Sequence, residues 1–105
     1  MVCLTVMYPT AGAPKFNWDY YLGKHLQLSR KRLGSRGLQR LEVTRGVGGF
    51  PPGVPAPYHA IANLYFDSLP TLQSALMATA EELIADVPNY YAGQSEVQIA
   101  EVVES

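Results

Sequence analysis

The opening segment Val2 to Tyr8 is largely apolar on both of its alternating sets, with Val2, Leu4, Val6 and Tyr8 on one and Cys3, Thr5 and Met7 on the other. Successive side chains of a strand point to opposite faces, so such a segment needs cover on both sides. In a chain of 105 residues, which builds a single core, helices from the same chain supply one cover and leave the other to be found elsewhere. That demand constrains the fold more than any other feature of the sequence.

The remaining elements follow from period and punctuation. Pro9 ends the first strand, and a turn through Gly12 and Pro14 leads to a helix from about Trp18 to Leu33. Asn17 suits the N-cap, Asp19 the positive end of the helix dipole, and Phe16 a staple onto Tyr21. The cluster Gly34-Ser35-Arg36-Gly37 stops this helix. Leu38 to Val47 and Tyr58 to Phe66 read as two strands joined by a Gly- and Pro-rich hairpin loop. Asp67 or Ser68 caps a second helix through about Ala85, with Pro70 in its tolerant first turn and Leu69, Leu72, Leu76 and Leu83 on one side. After Pro88, Gln94 to Val103 is expected as a last strand covered on both faces, Val97, Ile99 and Val103 on one and Ala100 and Val102 on the other.

The order βαββαβ makes a single α+β domain over residues 1–105, with the ferredoxin-like topology as the economical arrangement: an antiparallel four-stranded sheet with two helices on one face. The bare sheet face is expected to pack on that of an identical subunit, giving a homodimer through sheet-to-sheet packing.

Composition narrows the partners. A formal net charge of −1 with 8 basic residues leaves no electrostatic footprint for nucleic acid or an anionic membrane. No apolar run reaches spanning length, and Met1 to Met7 lacks the features of a signal peptide. The lone Cys3 excludes an internal disulfide and points to a reducing, cytoplasmic setting; in a strand without a neighbouring base it is a poor nucleophile. The two histidines are far apart with no carboxylate at helical ligand spacing, so no metal site is expected. Glu81 and Glu82 diverge by about 100° on a helix and form no dyad. Gly46-Val47-Gly48-Gly49 lacks the Lys-Ser/Thr of a phosphate loop. The basic residues Arg30, Lys31, Arg32, Arg36 and Arg40 gather near the end of the first helix, where they offset its dipole.

Chemistry is best sought on the first helix. Tyr21 and His25, four residues apart, stack along one side, and Leu28 and Arg32 continue the stripe. A neutral imidazole near pH 7 both accepts and donates protons, as general acid–base work requires. Tyr21 beside it is a donor for a substrate carbonyl or developing oxyanion, although an aromatic at a core-facing position also serves as plain packing. Asn63 and Asp86 are groups able to orient a substrate or a histidine ring, and each also has an ordinary hydrogen-bonding explanation. His59, near the end of the long loop, reads as a surface or dimer-contact residue.

Three segments carry a family resemblance. Phe16-Asn17-Trp18-Asp19-Tyr20-Tyr21-Leu22-Gly23-Lys24-His25-Leu26-Gln27-Leu28 resembles the signature of the ethyl tert-butyl ether degradation (EthD) family. Tyr58-His59-Ala60-Ile61-Ala62-Asn63-Leu64-Tyr65-Phe66-Asp67-Ser68 is similar to its third strand running into the second helix. Asp86-Val87-Pro88-Asn89-Tyr90-Tyr91, followed by Gln94-Ser95-Glu96-Val97, is similar to its C-terminal pattern. The resemblance implies a dimeric α+β barrel in which each subunit keeps a pocket between its own sheet and helices. It also implies a histidine of functional weight at His25, although Gln27 stands where the family often has a proline. Family members are linked to degradation of organic compounds, and structural relatives include cofactor-independent monooxygenases, isomerases and dehydratases of aromatic or polyketide-like molecules.

Together these readings lead to a small dimeric protein acting on a hydrophobic, oxygenated or aromatic organic ligand without a cofactor. His25 is its expected acid–base group and Tyr21 its assistant. Trp18 and Tyr65 are expected to wall the pocket, with Asn63 and one of Tyr90 or Tyr91 meeting the ligand. Two rival readings use the same pocket: a non-catalytic binding or accessory protein beside an oxygenase, and a haem protein with His25 as axial ligand.

Overall fold

The computed structural model describes residues 1–105 and is built around strand β1, Val2–Pro9. Strands β2 (Arg40–Arg45), β3 (Tyr58–Phe66) and β4 (Glu96–Glu101) complete an antiparallel sheet in the order β2-β3-β1-β4. Helix α1 spans residues 18–34 and helix α2 spans Leu69–Asp86. This is the ferredoxin-like βαββαβ arrangement, and no helix is long and apolar enough to cross a membrane.

Both helix starts form as local chemistry dictates. The Asn17 side chain accepts from the Tyr20 amide at 3.1 Å, and the Phe16 and Tyr21 rings meet edge to face at 5.0 Å. Ser68 accepts from the Thr71 amide at 3.3 Å at the head of α2, with Pro70 in the first turn. Each cap satisfies a backbone donor that the helix leaves open.

Helix α1 departs from the expected register. Trp18–Tyr20 is α-helical, Tyr21–His25 forms a turn of π-helix, and Leu26–Gly34 is α-helical again. A π turn adds one residue to the helical period, so the inward stripe after His25 runs through Leu26, Ser29 and Leu33. Leu28 and Arg32 therefore do not continue it; Arg32 lies outside and pairs with Glu82 through bonds of 2.7 and 3.2 Å. The Gln27 side chain donates to the Leu22 carbonyl at 3.2 Å, supplying a partner within the altered ladder.

The core between sheet and helices has two halves. At one end Leu4, Leu33, Leu64, Phe66, Leu72 and Ala75 form an aliphatic cluster. At the other Tyr8, Tyr21, Leu26, Tyr90 and Tyr91 join Ala13 and Ala60 in an aromatic one. Leu69, expected on the apolar side of α2, is exposed at the helix start.

The last strand is shorter than expected and is not covered. Val97 and Ile99 face the helix side, in register with Val6 and Leu4, yet stay 59% and 42% exposed because α2 does not reach this edge. The opposite sheet face carries Met7, Ile61 and Tyr65, with Thr5 and Asn63 between them and Arg40, Glu42 and Gln98 toward its edges. It is more polar at the rim than the strand pattern implied, and no element of the chain packs over it. The β2–β3 turn starts at Gly46, whose amide donates to the His59 carbonyl at 3.0 Å. A Cβ there would run into the Tyr58 carbonyl oxygen, so glycine alone permits this closure.

Leu72, with 0% exposure, tests the packing. Leu72→Ala should cost about 2–5 kcal/mol in urea unfolding followed by circular dichroism, whereas Val47→Ala at the exposed hairpin should stay within about 0.5 kcal/mol.

Candidate functional site

The seam between the two core halves leaves a cavity of about 200 Å³. Its wall runs from Leu4, Val6 and Tyr8 on β1 across Ala62 and Leu64 on β3, then over Tyr21, His25 and Ser29 on α1 to Leu76, Leu83 and Ile84 on α2. Ser95 and Val97 border it from the β4 side, where the exposed Ile84 and Val97 form the mouth. Aliphatic cavities of roughly 150 Å³ hold a benzene, so the space suits a small hydrophobic molecule. No lysine, arginine or carboxylate lines it.

His25 is the one ionisable nitrogen base in this wall. It lies at the end of the π turn, which brings its ring parallel to that of Tyr21, with centroids 5.7 Å apart and an interplanar angle of 15°. Its Nδ1 faces Asp86 Oδ2 at 2.9 Å. A carboxylate accepts, so Nδ1 carries the proton and Nε2 is left with its lone pair for the cavity. Burial pushes the imidazole below the ordinary histidine value, against the opposing pull of Asp86. The ring is therefore neutral near pH 7, with its acceptor nitrogen free.

Asp86, at the end of α2, is braced in turn. The Tyr20 hydroxyl donates to its Oδ1 at 2.6 Å, and Asn89 Nδ2 donates to the same oxygen at 2.9 Å and to Tyr20 at 3.1 Å. Burial acts to raise the carboxyl, but the hydrogen bonds from Tyr20, His25 and Asn89 outweigh it and hold Asp86 below its usual range. The carboxylate stays ionised and fixed, which locks the tautomer and aim of His25.

Three phenols extend the polar group, Tyr8 and Tyr21 in the wall itself and Tyr90 behind it. Tyr8 and Tyr90 hydroxyls lie 2.7 Å apart, and the Tyr90 ring sits 4.6 Å from His25. Burial raises Tyr8, Tyr21 and Tyr90 above the ordinary phenol range. All three therefore remain protonated.

Of the residues singled out from the sequence, His25 and Tyr21 border the cavity, and Tyr90 packs behind them without reaching it. The others lie elsewhere. Tyr91 is turned away, its hydroxyl donating to the Pro9 carbonyl at 2.6 Å. Trp18 packs on Phe16 and Tyr21 beneath the Arg45 guanidinium. Asn63 and Tyr65 fall on the open sheet face because strand residues alternate: Asn63 accepts from Thr5 at 2.8 Å, and Tyr65 lies under Arg40. His59 is no free surface group, since its Nε2 donates to the Ala13 carbonyl at 2.6 Å and its ring stacks on Phe16. Tyr8 went unrecognised in the sequence; its signal was an aromatic with a polar tip on the inward set of β1. No group of three or more potential metal-ligating side chains forms.

Both members of the His25–Asp86 pair have folded values below their ordinary ones, so the unfolded chain binds protons more readily and stability falls as pH falls. The histidine contribution is complete above about pH 6.5 and disappears as pH drops through the lower folded value. Nitrogen-15 NMR should find an Nδ1-protonated ring titrating below about 6.5, and Asp86→Asn should move that titration lower still by removing the opposing pull. A ring titrating above the ordinary value would contradict this electrostatic picture.

Comparison with known proteins agrees with this architecture. The EthD domain model matches residues 13–94. Among solved structures, an EthD-like protein from Ralstonia eutropha is 31% identical with a TM-score of 0.88, the match covering 98% of this chain and 92% of that one. An ethyl tert-butyl ether degradation family protein from Bacillus halodurans is 23% identical with a TM-score of 0.73, over 96% and 97% of the two chains. SnoaB, a cofactor-independent oxygenase from Streptomyces nogalater, shares the α+β fold at 8% identity and a TM-score of 0.70, over 99% and 94%. No curated protein matches in sequence. With the family model spanning most of its length and the strand order of that fold, the chain belongs to the EthD domain family.

Proposed function

We propose that this EthD protein is a homodimer whose subunits each take up a small hydrophobic, oxygenated or aromatic compound and act on it with His25 as general base. The observation that carries this reading is the Asp86–His25 pair, 2.9 Å apart, with its free Nε2 at the wall of an otherwise apolar cavity. A neutral base held by a fixed carboxylate in a water-poor pocket is built to take a proton from a bound molecule. An apolar wall with few polar groups is the usual make-up of a small-molecule site. Asp86 acts as a positioning residue, and Tyr20 and Asn89 hold it. Tyr21 fixes the ring from the other side and offers its hydroxyl for polar recognition. The shared fold with SnoaB, a cofactor-independent oxygenase, suits chemistry done by side chains without a cofactor. A cytoplasmic setting suits the lone Cys3.

The homodimer reading rests on the open sheet face, where Met7, Ile61 and Tyr65 have no cover from their own chain. Native mass spectrometry of the freshly purified protein should give the dimer mass, and Ile61→Glu should give a monomer by placing a charge at the centre of that face. A wild-type monomer would remove the sheet-to-sheet packing from the proposal.

The same spectrum identifies any small molecule that co-purifies. With that molecule as substrate, His25→Ala should lower turnover about 100-fold or more while leaving saturation within a few-fold, and Asp86→Asn should lower it less and shift its pH profile downward. Turnover indifferent to His25→Ala would refute the base; saturable binding with release of the unchanged molecule would identify a carrier.

A further inference from the structure

The cavity holds a second polar element that the proposed base does not use. Tyr8 is the aromatic member of the inward set of β1, 3% exposed, and part of the cavity wall. Its hydroxyl lies 2.7 Å from that of Tyr90. Tyr90 does not line the cavity and has no other side-chain partner, so its proton goes to the Tyr8 oxygen and the Tyr8 proton is left for an occupant of the cavity. A hydroxyl that accepts one hydrogen bond becomes a better donor of the next.

Donor and base are on different elements. Both line the same cavity, and the Tyr21 ring touches each, with centroids 5.6 Å from Tyr8 and 5.7 Å from His25. A site of this kind serves a molecule that loses a proton from one atom while negative charge develops on another. Deprotonation of an alcohol or phenol leaves both on the same oxygen and fits poorly. Deprotonation of a carbon beside a carbonyl separates them. The absence of any lysine or arginine from the wall argues against a carboxylate substrate, whose buried charge would be uncompensated. The volume of about 200 Å³ suits a compound with one or two rings, judged against the cavity of roughly 150 Å³ that holds a benzene.

We infer that the cavity accepts a neutral carbonyl compound with a hydrogen on the adjacent carbon, and that Tyr8 is a further catalytic residue that holds the carbonyl oxygen while His25 removes that hydrogen. The inference rests on the assignment of His25 as base. In the step, Nε2 takes the proton, the C–H pair becomes the carbon–carbon π bond of the enolate, and the carbonyl π pair moves to the oxygen bound by the Tyr8 hydroxyl. Return of the proton to the same or another carbon closes the cycle, and no oxidant or reductant takes part. Burial keeps the Tyr8 phenol protonated, partly offset by the hydrogen bond with Tyr90, so it remains a donor where His25 is an acceptor.

Proton NMR in deuterated buffer tests this with two model ketones, acetophenone and 1-indanone. Wild type should accelerate loss of the signal from the carbon beside the carbonyl. Tyr8→Phe should slow that exchange about 100-fold, His25→Ala should slow it by as much or more, and Tyr58→Phe, whose hydroxyl bonds Glu96 at the surface, should match wild type. Circular dichroism checks that the variants are folded. Exchange unaffected by Tyr8→Phe would overturn the role of that phenol. Saturable ketone binding without exchange would overturn enolisation and leave the cavity's ligand reading standing. Exchange that survives His25→Ala would remove the base and this inference with it, and failure of both ketones to bind would overturn the substrate class.

Discussion

The inward face of strand β1 must be covered, and the rest of the molecule is arranged around that requirement. It occupies the sheet interior between β3 and β4, and its inward set, Val2, Leu4, Val6 and Tyr8, runs through both halves of the core. Burying an aliphatic side chain there contributes about 1.5–3 kcal/mol, which fixes the two helices to one face. The helices do not close the space completely. Where the aliphatic and aromatic halves meet, side chains of unlike shape leave the cavity, and the failure of α2 to extend over β4 leaves its mouth open.

That incomplete closure is where polar groups can be kept. A charged residue in such a wall would be costly without a partner, and the fold answers by placing the ionised Asp86 one layer back, in contact with Nδ1 of His25 and two further donors. The cavity thus receives a neutral acceptor nitrogen and protonated phenols, all supported from behind. The π turn in α1 belongs to the same arrangement: by adding a residue to the helical period it sets the His25 ring parallel to Tyr21 and sends Leu26, Ser29 and Leu33 inward.

Much of this was legible in the sequence where neighbours along the chain decide the outcome. The caps at Asn17 and Ser68, the Phe16–Tyr21 contact and the span of β3 depend on residues within a turn or on a period of two. The EthD resemblance was legible in segments that the family model then spanned up to residue 94. The stripe through Leu28 and Arg32 failed because a single π turn shifts everything after it, and the pattern of apolar residues does not reveal that extra residue. Asn63 and Tyr65 were sought in the pocket, yet alternation along β3 sets both on the sheet face opposite Ala62 and Leu64.

The sequence by itself determined the element order, the helix starts and the histidine on the inward side of the first helix, because hydrogen bonds and side-chain periods of a few residues suffice for each. Only the tertiary structure decided that His25 meets Asp86, 61 residues away, and that Tyr8 meets Tyr90, 82 residues away. Those pairs depend on how the helices and the sheet settle against one another. A shift of one residue in α1, or an ångström in the seat of α2, would separate them without altering any local signal in the chain.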